Sequence, residues 1–333
     1  MSKTDPAGIE ISAKELVVGV KRQGTLCRLR TFPNNSTGHR TIVRWLSRRG
    51  VTTRVCMEST GLYGLDLALA LDQAAGLELM VANPRAVRRF AEACLQRSKN
   101  DRIDTAVLVE FAARMKFQSW QRPAPESLQL RALTRRIQAS VESATAQKNQ
   151  LHAAGLSRVT PKIVAREIKR LIAQIERSIE RLEAAALALI RAQPALDRDF
   201  ALLVSAKGIG KRSALLILAE LCCMPRDLDK RQCVAHAGLD PRHVQSGSSI
   251  HYQTGISRQG NKYLRRALFM PALSAIRTEP HFRAFYDTLV DKGKAKRQAQ
   301  VAVMRKILVV LWTMLQNNQP FDPDKLAQHP QTA

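Results

Sequence analysis

Aromatic side chains are scarce in this 333-residue chain, at 5%, which argues against a surface that stacks a long run of unpaired bases as its main activity. Cys27, Cys56, Cys94, Cys222, Cys223 and Cys233 include no Cys-x-x-Cys pair and no zinc spacing. They read as small apolar residues of a reducing compartment. His236, His243 and His251 are too loosely spaced for a metal motif. The start of the chain has no apolar signal core, and the late run from Ile307 to Leu315 is too short to span a bilayer. A soluble, cytoplasmic protein without a membrane partner is expected. Acids are in deficit too: 28 Asp and Glu face 53 Lys and Arg, a formal charge of +25. Such an imbalance repels itself unless a polyanion is the working partner, and nucleic acid, at the nucleoid, is the default.

The acids that remain sit in telling places. Glu10 follows the short β-type run Gly8-Ile9, and Glu58 ends the run from Thr53 to Met57. Asp101 and Asp104 open an apolar-periodic segment three residues apart, on one helix face. Taken singly, each is an ordinary surface acid. Together, in a protein that handles phosphates, they point to a hard-cation site, because Mg²⁺ prefers oxygen ligands and bridges to substrate phosphates.

Residues 7 to about 118 alternate strand and helix signals. Ile9–Ile11, Glu15–Val20 and Thr25–Thr31 read as three strands, with Gly24 in the second turn. A helix (Thr37–Arg49), a strand (Thr53–Met57), a helix (Tyr63–Ala75) and a strand (Leu77–Val81) follow, then helices over Pro84–Leu95 and Asp101–Met115. This order predicts an α/β domain with a mixed sheet in the ribonuclease-H-like (resolvase-like) pattern, over 1–118. Pro123 and Pro125 mark a break. Beyond it Leu130, Leu133, Ile137, Ala144 and Leu151 fall near a heptad seam, and Ile168, Ile172, Ile175, Ile179, Leu182, Ala186 and Leu189 alternate by fours and threes. That predicts a coiled-coil arm over 119–193, either a hairpin within one chain or a dimer contact.

A mainly α-helical third segment is expected over 194–320, and a disordered tail over 321–333. Within it, Ala206-Lys207-Gly208-Ile209-Gly210-Lys211-Arg212 resembles a helix-hairpin-helix turn, whose backbone N–H groups can meet a phosphate beside Lys211. A plain helix–helix turn is the other reading. From Arg242 to Lys306 thirteen basic residues face three acids, and Arg242, Arg258, Lys262, Arg265 and Arg266 head the polyanion face.

These features together resemble the DEDD transposases of bacterial insertion sequences (the insertion-sequence 110 family), relatives of the pilin-gene invertase, from about Gly8 to Leu315. The resemblance rests on the four acids and on two further motifs. One is Pro241-Arg-His-Val-Gln-Ser246-Gly247; the other is Gly255-Ile-Ser257-Arg-Gln-Gly260-Asn261-Lys-Tyr-Leu-Arg265. It implies that Glu10, Glu58, Asp101 and Asp104 are catalytic Mg²⁺ ligands, with Glu10 standing where the family typically has Asp. It implies that Ser246 is the nucleophile, with Ser248 and Ser249 close by. Donor and target double-stranded DNA, a noncoding bridge RNA and a homodimer or homotetramer are the implied partners. Since acids and serine lie in separate domains, a composite site across protomers is also expected. The nucleic-acid contacts expected are Gly208, Gly210, Lys211, Arg242, Arg258, Asn261, Lys262, Arg265 and Arg266.

The mechanism expected is strand exchange through a phosphoserine link. Three rivals differ in chemistry. A junction-resolving nuclease uses the four acids with water and has no role for Ser246. A tyrosine recombinase needs an Arg and His set around a late tyrosine, of which His281, Arg283 and Tyr286 are a faint echo. A non-enzymatic nucleic-acid-binding protein accounts for the charge and leaves the acids unexplained.

Overall fold

The computed structural model describes residues 4–324 except 59, 60, 62, 97–99 and 247–249, and gives no side-chain placement for 242–246 and 250–254. Among the expected features, Gly247 of the serine motif, Ser248, Ser249 and most of the tail fall outside it. The chain divides into two units, residues 1–122 and 123–333.

The first unit begins with β1 (Thr4–Ile11) and β2 (Glu15–Arg22), an antiparallel pair in which Glu10 faces Val17 and Gly8 faces Gly19. Gln23 and Gly24, both at positive φ, turn the chain into β3 (Thr25–Leu26). Two left-handed central residues match the twist of a tight hairpin. β4 (Arg30–Pro33) also pairs with β2, so the single strand expected over Thr25–Thr31 is two. Leu26 faces Lys21 while Arg30 faces Val18, so one extra residue is inserted between the pairs. That is a β-bulge, which breaks the ladder without reversing the strand.

After α1 (Ser36–Leu46), β5 (Thr52–Glu58) enters parallel to β1, and after α2 (Leu65–Asp72), β6 (Leu77–Ala82) pairs parallel to β5. The six-stranded mixed sheet runs β3-β2-β1-β5-β6, with β4 on β2. Alternation then sets two faces. Ile9, Leu16, Val18, Val55 and Met57 pack with Ile42, Leu46, Leu67 and Leu71 of α1 and α2. Cys56, Met80 and Ala82 pack on the other face with Val87 of α3 (Pro84–Ala93) and with Val107, Leu108 and Phe111 of α4 (Asp101–Arg114). This mixed α/β layering is compatible with the ribonuclease-H-like order.

The second unit opens with α5 (Pro125–Leu156) and α6 (Lys162–Arg191), which pack on each other as a helical hairpin. Leu130, Ile137, Ile179, Ala186 and Ile190 of their seam join a core shared with the helices that follow. Those are α7 (Pro194–Ser205), α8 (Lys211–Leu221) and α9 (Lys230–Ala237). A two-stranded antiparallel sheet of β7 (Pro241–Ser246) and β8 (Ile250–Ile256) comes next, then α10 (Lys262–Thr278), α11 (Pro280–Asp291) and α12 (Lys296–Asn317). α12 is long and apolar enough to cross a membrane, yet here it is a core helix. Ala299, Val303, Leu308, Leu311 and Trp312 are buried, and Trp312 Nε1 donates to Leu228 O at 2.9 Å.

α4 lies very close to the sheet. A Cβ built on Gly8 would stand 2.6 Å from Val109 N and 2.7 Å from Leu108 Cβ. Gly8→Ala therefore pushes backbone against backbone and lowers stability by about 1–3 kcal/mol. Urea unfolding followed by circular dichroism reads this as a lower midpoint; an unchanged midpoint contradicts the contact.

Candidate functional site

β1 and β5 run parallel with Ile9 beside Met57, so the next residues in register, Glu10 one short of the end of β1 and Glu58 at the end of β5, lie on neighbouring strands about 4.8 Å apart. Their parity is that of Gly8 and Cys56, which face α4. Along α4, Val109 sits over Gly8, while Thr105 Oγ1 donates to Val17 O at 3.3 Å, beside Glu10. The helix thus runs antiparallel to β1, and its first turn, with Asp101 and Asp104, reaches the end of the sheet where Glu10 and Glu58 stand. Asn100 caps that turn, accepting from Ile103 N at 2.9 Å, and the positive end of the helix favours both aspartates. Beneath Glu58, burial first and the Glu58 charge second push the Cys56 thiol up to about 12, which keeps it inert.

The four carboxylates are thereby brought to one end of one sheet face. They supply only oxygen donors, which suits a hard cation. Among the described residues no group of three or more His, Cys, Asp or Glu side chains closes around a metal position. The backbone assembles the donors, and their side chains are not drawn into one shell.

Ser246, the expected nucleophile, ends β7 opposite Ile250, at the tip of the β7–β8 hairpin. Its side chain, like that of Arg242, lies outside the described residues. The base of the hairpin is well defined. Pro241 faces Ile256, Ser257 N donates to Asp240 O at 2.9 Å, and the Ser257 hydroxyl bonds the Asp240 carboxylate. The following loop is pressed onto the end of α9. Asn261 N donates to His236 O at 2.7 Å and Arg265 Nη1 to Ala237 O at 2.7 Å. A Cβ on Gly260 would stand 2.2 Å from His236 O, so only glycine fits there.

Two residues expected to touch nucleic acid are thus turned inward. The Asn261 side chain caps α10 at Tyr263 N and Leu264 N, and its amide donates to Glu220 Oε2 at 2.6 Å. Arg265 braces the loop, and burial together with the Arg258 charge holds its pKa below the usual guanidinium value. Lys211, Arg258, Lys262 and Arg266 are exposed, Arg266 pairing with Glu142 of α5. Gly208 has φ 87°, and a Cβ on it would meet Ala275 N at 2.8 Å. It shapes the α7–α8 turn against α10, while Gly210 caps α8 and faces open space.

Sequence reasoning missed Glu220. It is 2% exposed and accepts a bidentate bond from Arg135 of α5 at 2.8 and 2.9 Å. Arg135 also lies over the Tyr263 ring, 4.4 Å from its centroid. A lone acid in the apolar helix Ala214–Leu221 was the available signal. This cluster ties the helical hairpin to the start of α10. Removing one partner strands a buried charge at a cost of about 3–5 kcal/mol, whereas replacing both by apolar residues is far milder. Arg135→Met should therefore destabilise strongly, and Arg135→Met with Glu220→Met should recover most of the loss in a chemical-denaturation double-mutant cycle. Additive losses contradict the pairing.

Comparison with known proteins bears on this arrangement. A DEDD family model of the IS110 type, described as "Transposase", matches residues 7–161. A second, "Transposase IS116/IS110/IS902 family", matches residues 200–287. The pilin gene-inverting protein of Moraxella bovis is 29% identical over 297 residues, covering 88% of this chain and 90% of that protein. An insertion element IS110 protein of Streptomyces coelicolor is 32% identical over 136 residues, 41% of this chain and 32% of its own length. The transposase of insertion sequence element IS1111A from Coxiella burnetii is 24% identical over 272 residues, 74% and 73% of the two chains. The first model spans the sheet and α4 with their four acids, and the second spans the Gly208 turn and the Ser246 hairpin; the chain belongs to the IS110 family of transposases and is a DNA transposase/recombinase.

Proposed function

We propose that this chain exchanges DNA strands through a phosphoserine link made by Ser246, with Glu10, Glu58, Asp101 and Asp104 as the Mg²⁺ ligands of a ribonuclease-H-like domain. The observation that carries this reading is the convergence of the four carboxylates on one end of one sheet face. Bound there, a divalent cation would offset charge developing on phosphoryl oxygens. The Ser246 oxygen forms its bond to phosphorus as the P–O bond to the departing strand breaks. Attack by the hydroxyl of a second strand then restores the serine, so no bond energy is lost to water. Arg258, exposed in the loop after the hairpin, is suited to a phosphate, while Arg265 holds that loop through Ala237 O. The name of the Moraxella relative, a gene-inverting protein, supports rejoining of cut strands over simple hydrolysis. That favours strand exchange over the junction-nuclease reading.

A noncoding bridge RNA pairing with donor and target DNA is the proposed source of site choice. Base pairing then reads sequence, and the protein reads backbone and shape. The supports are a charge of +25 and an aromatic content of 5%, which suit two polyanions better than base-by-base readout. A homodimer or homotetramer acting at the nucleoid completes the proposal.

Ser246→Ala should lower strand exchange by more than about a thousandfold and abolish any covalent protein–DNA adduct, with DNA binding retained in gel shifts. An adduct formed by the alanine variant transfers the role to Ser248 or Ser249. Asp101→Asn and Asp104→Asn should each remove most activity, since a neutral amide oxygen holds a hard cation weakly. Full activity in either, or in excess chelator, rejects the metal assignment. Ribonuclease treatment of the purified complex should abolish recombination on a supercoiled substrate, and add-back of the element-end transcript should restore it. Undiminished site-specific recombination by RNA-free protein rejects the guide.

A further inference from the structure

The second unit holds a groove that neither the serine hairpin nor the acids explain. It lies among α10, α11 and the start of α12, an open groove of about 530 Å³. Its walls are apolar and partly aromatic: Phe269, Leu273 and Ile276 from α10, and Tyr286 from α11. Phe269 is 36% exposed, and its neighbour Met270 is 63% exposed. Large side chains left open on a helix that otherwise packs well mark a contact surface.

The rim is cationic. Arg277 comes from the last turn of α10, and Lys296 and Arg297 come from the first turn of α12; all three are exposed. Among the described residues no carboxylate lines the groove. No side chain caps the first turn of α12, so the backbone there adds to the positive field of the rim. Gln300, 8% exposed, forms part of the lining, and its Nε2 reaches Phe269 O at 3.5 Å, the outer limit of a hydrogen bond. That amide is held weakly and can turn to a better partner.

We propose that this groove seats one unpaired nucleotide of a single-stranded nucleic-acid segment. Its base would stack against Tyr286 and Phe269, its polar edge would meet the Gln300 amide, and its phosphates would lie on Arg277, Lys296 and Arg297. The charge complementarity decides the occupant: an apolar peptide has no use for three cations at the mouth, and a duplex cannot present a base face to the walls. The inference goes beyond strand exchange and uses neither Ser246 nor the four acids. Failure of the Ser246→Ala experiment therefore leaves it standing, and its own failure leaves the strand-exchange reading intact.

The test uses the full chain and strands of about 12 nucleotides carrying 2-aminopurine at the centre, in a DNA arm and an RNA arm, at fixed salt. Saturable quenching of the probe is expected in at least one arm, and the arm that responds names the source of the nucleotide. Tyr286→Leu and Arg297→Glu should each weaken binding about tenfold, while Tyr286→Phe, which keeps the ring, stays within about twofold of the parent. Arg297 is exposed, so its variant reports even where the Tyr286 change disturbs packing. Parent-like binding by Arg297→Glu, equal losses in the Phe and Leu variants, or competition by duplex as effective as by single strand overturns the proposal.

Discussion

The contact between α4 and the first two strands governs where the first unit places its four carboxylates. Gly8 and Gly19 leave a bare strip on β1 and β2, and Leu108, Val109 and Thr105 settle into it. With the packing of Cys56 and Met80 under the same helix, this contact carries Asp101 and Asp104 toward Glu10 and Glu58. A side chain at Gly8 would press on the backbone of the helix at Leu108 and Val109. Close packing here is a precondition of the proposed metal site, since rigid placement of charged donors depends on interiors as dense as organic crystals.

The second unit solves a different problem, that of holding a long hairpin of helices and a short β-hairpin to one core. Its apolar seam does most of the joining, through Leu130, Ile137, Ile179 and Ile190. Register comes from polar contacts. Glu220 receives Arg135 from one side and Asn261 from the other, so the start of α10 and the base of the arm are tied to one buried carboxylate. Polar groups in a core add specificity when fully satisfied, and this one meets that condition.

Much of this architecture is legible in the sequence. The strands β2, β5 and β6 and the helix that opens at Asp101 carry local signals that tertiary structure kept, whereas β1 starts at Thr4, five residues before the run expected from Ile9. Elements governed by non-local contacts are less legible. The bulge after β3 depends on pairing with β2, and the β7–β8 hairpin, rich in polar residues and lacking clean alternation, gives no strand pattern of its own. The elements bearing the acids are legible because helix-start and strand-end rules are local. Asn261 and Arg265 are not, because a polar residue in a basic, glycine-containing stretch reads as exposed until the carbonyls of His236 and Ala237 are seen to lie against it.

The chain order of the first unit has a consequence for synthesis. β1 is made first, but its parallel partner β5 ends at Glu58, and the helix that covers its second face ends at Arg114. A chain that stops between the end of β6 and the start of α4 carries a sheet with one covered side and one bare apolar side, marked by Cys56, Met80 and Ala82. Such a fragment is prone to aggregation and to proteolysis.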